Sequence, residues 1–174
     1  AIGLSSGFIE PLESTSIHLI QTAINRLIDF LPNGPVRDVD RDAYNRLSTF
    51  EVERIRDFVI LHYAANGRHG EPFWDALRDM ELPETLADRI AMFRSSGRIV
   101  REHDELFDVP GWLQVMIGQG IVPERWHTLA DLVDATQLSA FLDTVAHAYQ
   151  KDVARMPSHA DYVAHVCGKM PAHA

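Results

Sequence analysis

A single cysteine, Cys167, in 174 residues leaves no internal disulfide and no Cys-rich zinc site, a pattern that suits a reducing compartment and points to the cytoplasm. Basic runs are also missing. Sixteen Lys plus Arg stand against 25 Asp plus Glu, for a formal charge of −9. That field disfavours tracking along nucleic-acid phosphates or an anionic membrane, so small molecules and proteins remain as partners. No stretch approaches the roughly 20 apolar residues that span a bilayer; the apolar opening through Leu31 is cut by Glu10, Glu13, His18 and Arg26. The basic region and cleavage site of a signal peptide are absent, as is an initiating Met. Ala1-Ile2-Gly3-Leu4 reads instead as the tail of a buried strand begun upstream, which gives the expectation of a piece of a longer protein. What is present is ordinary: 46% hydrophobic and 24% charged residues in a chain of one-domain size.

Helical periodicity dominates. Ile17, Ile20, Ala23, Ile24, Leu27, Ile28 and Leu31 recur at three and four residues, predicting a helix with one buried face that ends at Pro32-Asn33-Gly34-Pro35. A longer helix is predicted from Arg41 to Ala65, with Glu51 and Glu53 placed for surface pairing with Arg54 and Arg56. Short helices follow at Pro72 and at Pro83-Glu84, the second stopped by Gly97. Between Gly97 and Pro123 periodicity is poor apart from Trp112, Val115 and Met116, and the stretch reads as a site-lining loop region with one short helix. Leu138 to Tyr149 predicts a final long helix and Tyr162 to Val166 a weaker one. The fold class expected is mainly α.

Five constellations bear on chemistry. Gly3-Leu4-Ser5-Ser6-Gly7 fits G-x-S-x-G, but a nucleophile elbow needs a helix straight after the serine, and Phe8-Ile9-Glu10-Pro11 delays it. Glu13 to Ser16 sits where an extended segment enters the first helix, whose free amides attract anions; capping by Glu13 or Ser14 is the plainer account. The nine histidines form no ligand motif, so no metal is implied. Gly118-Gln119-Gly120 lacks both the third glycine and the preceding strand of a dinucleotide fingerprint and reads as a tight turn. Phe73-Trp74 and Trp112 offer aromatic faces that at this spacing also suit a core.

The run Gly3-Leu4-Ser5-Ser6-Gly7-Phe8-Ile9-Glu10-Pro11-Leu12-Glu13-Ser14-Thr15 resembles the flavin-dependent tryptophan halogenase family. The likeness continues through Glu53 to Tyr63, Phe73-Trp74, Gly97-Arg98-Ile99, Gly111-Trp112 and Gly118 to Pro123, and weakens after about Leu132. It implies that reduced FAD, oxygen and chloride or bromide generate a hypohalous species that halogenates an indole or tryptophan-like aromatic. A flavin reductase would supply the reduced FAD. It further implies Glu13 as the catalytic glutamate, Ser14 as the link between halide and substrate, the amides of Thr15 and Ser16 as the halide site, and Trp112 as a substrate-stacking face. The family often has glycine where Ser16 stands. Its G-x-G-x-x-G, W-x-W-x-I-P segment and catalytic lysine are not in this chain, whose lysines are Lys151 and Lys169.

The resemblance therefore implies the helical C-terminal, substrate-side portion of an α+β flavin monooxygenase-like fold. Residues 1–12 would be the end of the FAD-domain strand and loop, and residues 13–174 a single helical substrate-side region. FAD would be held mainly by an N-terminal remainder. In members specialised for free tryptophan the segment like Gly111-Trp112-Leu113-Gln114 carries adjacent tyrosines, so this chain is expected to favour indole or a larger indole-bearing substrate. An inactive helical binding or structural fragment and a serine hydrolase are the alternatives.

Overall fold

Apolar spacing sets the helices and buried charge ties them together. The computed structural model describes residues 2–103 and 105–168. Among them the helices are α1 (Ser16–Asp29), α2 (Asp38–Ala64), α3 (Pro72–Arg78), α4 (Glu84–Ser96), α5 (Val109–Gly118), α6 (Ala135–Val153) and α7 (His159–Cys167), and no strand occurs. The mainly α reading holds. Ala1 lies outside the described residues, and Gly3–Ser5 forms a 3-10 turn in which the Ser5 hydroxyl donates to Ile2 O at 2.8 Å. Gly3 and Leu4 of the expected strand tail lie in this turn, and Ile2 before it is extended. No helix starts directly after Ser5, so the elbow geometry of a serine hydrolase is not built.

The chain divides into two compact units, Ala1–Trp126 and His127–Ala174. In the first, Phe58 and Leu61 of α2, Leu86, Ile90 and Phe93 of α4, Trp112 and Met116 of α5, and Ile121 form the core. The Phe58 ring stacks on Phe107 at 3.8 Å between centroids and meets Trp112 edge-on at 4.8 Å. Gly97, at φ 66°, closes α4 in the left-handed conformation that a Cβ disfavours, and donates to Phe93 O at 2.7 Å. Gly118-Gln119-Gly120 is a helix stop: Gly120 N–H donates to Ile117 O at 3.0 Å and Ile121 N–H to Met116 O at 2.8 Å, the paired bonds of a Schellman turn. This turn seats Ile121 in the core. The region from Gly97 to Pro123 thus gives Trp112, Met116 and Ile121 to the core.

Helix α1 departs from expectation. None of its residues is buried, and Ile17 is 69% and Ile28 64% exposed. Polar contacts hold it to α2 instead: Glu51 receives Arg26 at 2.8 Å and stands 3.2 Å from His18 Nε2. Glu51 thus pairs with α1, and Arg54 and Arg56 pair with Asp57 at 3.4 and 2.8 Å. Helix α2 also starts earlier than its apolar pattern, because Asp38 and Asp40 suit the positive end of the helix dipole.

The second unit carries α6 and α7, capped by Asp134, which accepts from Thr136 N–H at 2.9 Å, and by Ser158, which accepts from Asp161 N–H at 3.2 Å. None of its helical residues is buried. Lys151 lies on α6, and Lys169 lies outside the described residues. No helix is long and apolar enough to cross a membrane among the described residues.

One buried ion pair braces the core. Arg89 holds Glu105 through two bonds of 2.7 and 2.6 Å, and its guanidinium lies 4.2 Å from the Trp112 ring centroid. Burial pushes the Glu105 carboxyl up, but the bonds from Arg89 and from Glu102 N–H outweigh it and hold the group below its usual range. A depressed folded value means that this stabilisation is complete above the unfolded glutamate value of about 4.3 and is lost as pH falls through the lower folded value. Arg89→Gln strands a buried carboxylate and is expected to cost about 3–5 kcal/mol near neutral pH. Urea unfolding across a pH series checks this: the gap to the parent should narrow below about pH 4, and a gap that is constant with pH would contradict it.

Candidate functional site

The segment from Glu10 to Ser16 enters α1 through an unusual backbone. Leu12–Ser14 is a 3-10 turn in which Glu13 has φ 62°, ψ 0° and Ser14 has φ 53°. Neither residue is glycine, and the left-handed region costs an L-residue roughly 1–2 kcal/mol. Two in succession need external support.

Helix α2 supplies it. Tyr63 OH donates to Glu10 Oε2 at 2.6 Å, and His62 Nε2 stands 3.3 Å from Glu13 Oε1. Adjacent residues of one helix thus grip both carboxylates of the Glu10–Glu13 turn. Tyr63 is itself buttressed: its ring stacks with Trp74 at 6.2 Å, and Asn66 Nδ2 donates to both Tyr63 O and Trp74 O, at 2.7 and 3.1 Å. The bond to Glu10, then burial and the Glu10 charge, push the Tyr63 hydroxyl above the usual phenol range. Glu10 Oε1 is buried without a hydrogen-bond partner among the described residues.

The start of α1 lies directly beyond this turn. Thr15 is the N-cap residue, 2% exposed, and no side chain caps the helix there. Capping by Glu13 or Ser14, the plainer account of these residues, does not occur. The structure therefore brings Glu13, Ser14, Thr15 and Ser16 together at an uncapped helix start, with the Glu13 side chain 36% exposed. Beside it a groove of about 670 Å³ runs between the Gly3–Ile9 segment, Leu19, Ile20 and Ala23 of α1, and Tyr44 of α2.

Trp112 is not part of this site. It is 1% exposed, wedged between Phe58 and the Arg89 guanidinium, so its ring has no open face for a substrate. The substrate-stacking role expected for it is corrected to a core role, and the preference for indole inferred from its segment loses that support. Sequence reasoning also missed three residues, His62, Tyr63 and Glu10. The repeat from Phe58 to His62 carried a partial signal, since an imidazole four residues on can reach the carbonyl, but the partners across about fifty residues carried none.

Gly118-Gln119-Gly120 does not make a dinucleotide fingerprint. The only closely spaced glycine pair after α4, Gly118 and Gly120, ends a helix and follows no strand. No group of three His, Cys, Asp or Glu stands in metal-holding geometry among the described residues.

Comparison with known proteins places this arrangement. The family description "Tryptophan halogenase" matches residues 1–135. The chain is 29% identical to the 7-chloro-L-tryptophan 6-halogenase KtzR of Kutzneria sp. (strain 744), over 97% of its own length and 33% of that protein's. Among solved structures it resembles Xcc4156, a flavin-dependent halogenase from Xanthomonas campestris, at a TM-score of 0.88 and 46% identity, covering 94% of this chain and 33% of that one. BrvH, a flavin-dependent halogenase from Brevundimonas sp. BAL3, gives a TM-score of 0.88 at 41% identity with the same coverage. The chain spans about a third of the length of the relatives it matches. With a family match over most of its residues, including the whole Glu10–Ser16 turn, the chain belongs to the tryptophan halogenase family.

Proposed function

We propose that this chain is the C-terminal, substrate-side helical portion of a flavin-dependent halogenase that acts on an indole or tryptophan-like aromatic. The observation that carries the reading is the strained Glu13–Ser14 turn, which sets a carboxylate beside an uncapped helix start. The domain reading keeps residues 13–174 on the substrate side and gives residues 1–12 to the edge of an FAD-binding part. FAD would be bound mainly by the N-terminal remainder, with a flavin reductase supplying its reduced form. The exposed apolar residues of α1 support this, since a protein three times as long has the surface to cover them. The lone, exposed Cys167 supports a cytoplasmic setting.

The roles within this chain follow from the geometry. First-turn amides at Thr15 and Ser16 hold chloride or bromide, because the helix start is positive and its amides have no side-chain cap. Ser14, between those amides and Glu13, links the halide and substrate positions. When a halogen has added to a ring carbon, Glu13 takes the proton from that carbon and the C–H electron pair restores the aromatic ring. This is general-base work by a positioned carboxylate.

In the intact enzyme, Glu13→Gln keeps the shape and removes the basic oxygen. Halogenation is expected to fall by about 10²-fold or more while flavin reoxidation continues; a variant that halogenates at the parent rate would show that Glu13 only shapes the turn. Titration of this chain alone with FAD is expected to show no stoichiometric complex. Tight one-to-one binding would overturn the assignment of FAD to the remainder.

A further inference from the structure

His62 has a fixed hydrogen-bond pattern that ties its chemistry to Glu13. Its Nδ1 lies 2.8 Å from Phe58 O. A carbonyl oxygen only accepts, so Nδ1 carries a hydrogen and donates it. Nε2 is left facing Glu13 Oε1 at 3.3 Å. A bare Nε2 lone pair would repel that oxygen, whereas an Nε2 that carries a hydrogen would donate it to Oε1.

The ring is also held in place. The Phe58 ring meets it edge-on at 5.0 Å and 78°, and Phe58 is 2% exposed and stacked on Phe107. Only 17% of the His62 side chain is exposed. A core aromatic therefore sets the imidazole, and the imidazole engages one oxygen of a carboxylate on a strained turn.

We propose that His62 is a positioning residue for Glu13, donating a hydrogen bond from Nε2 to Oε1 of the carboxylate so that Oε2 is the oxygen that receives the substrate's proton. The inference rests on the reading of Glu13 as proton acceptor. In the step itself the substrate C–H bond breaks, its electron pair returns to the ring and the proton goes to Oε2. The hydrogen on Nε2 stays where it was.

Two near-isosteric variants of the intact enzyme separate this from a purely structural role. The amide nitrogen of His62→Gln reaches the former place of Nε2 and still donates to Glu13. That of His62→Asn reaches only the place of Nδ1 and keeps the bond to Phe58 O. His62→Asn is expected to lower kcat for halogenation by roughly 10–100-fold, the size usual when a group that orients a functional ligand is lost. KM for the aromatic substrate should be unchanged, and His62→Gln should retain most of the activity. In a Glu13→Gln background, His62→Asn should cause no further loss. Equal losses in the two variants, losses that multiply with Glu13→Gln, or a lower melting temperature that accounts for the Asn loss would each overturn the proposal. A Glu13→Gln enzyme at the parent rate gives a different failure, that of the underlying reading.

Discussion

Two consecutive residues with left-handed backbone and full side chains cannot hold themselves, and the rest of the site depends on what holds them. Helix α2 does so through neighbouring residues, Tyr63 on Glu10 and His62 on Glu13. The same stretch of helix also puts Phe58 and Leu61 into the core. Placement of the turn is therefore set by core packing, because one rigid element carries both the aromatic anchor and the polar grip. The strain of the turn is balanced by contacts some fifty residues along the chain.

Charge is used in two different ways. Near the surface, Glu51 joins α1 to α2 by accepting Arg26 and facing His18, which lets α1 be fixed while its apolar residues remain exposed. In the interior, Arg89 and Glu105 pair under Trp112, and Asp57 is shared among Arg54, Arg56 and the Thr85 hydroxyl at 2.5 Å. Buried pairs of this kind contribute little net stability but penalise any other arrangement, since a separated partner would be left charged in an apolar setting. They fix how α4 and the chain leading into α5 lie on α2, and that fixes the base on which His62 and Tyr63 stand.

Much of the helical layout is written locally. The three and four residue spacing of α1, α2 and α4, the prolines at the first turns of α3 and α5, and Gly97 at a left-handed stop each act within a few residues. The expectations that failed were those decided by distant contacts. Burial of α1's apolar face depends on a covering surface, and the role of Trp112 on whether Phe58 and Arg89 enclose it. The left-handed backbone at Glu13 and Ser14 had no glycine or asparagine to announce it. The run around Glu13 was legible as a family motif, whereas His62 looked like any packed histidine because its partner lies on another element.

The central claim is that this turn presents a carboxylate and an anion-receptive helix start side by side. Crystals of the intact enzyme soaked in bromide, with anomalous data at the bromine edge, test it most directly. The account predicts a bromide peak at the amides of Thr15 and Ser16 on the side of Glu13. Bromide bound elsewhere, with none at the first turn of α1, would contradict it.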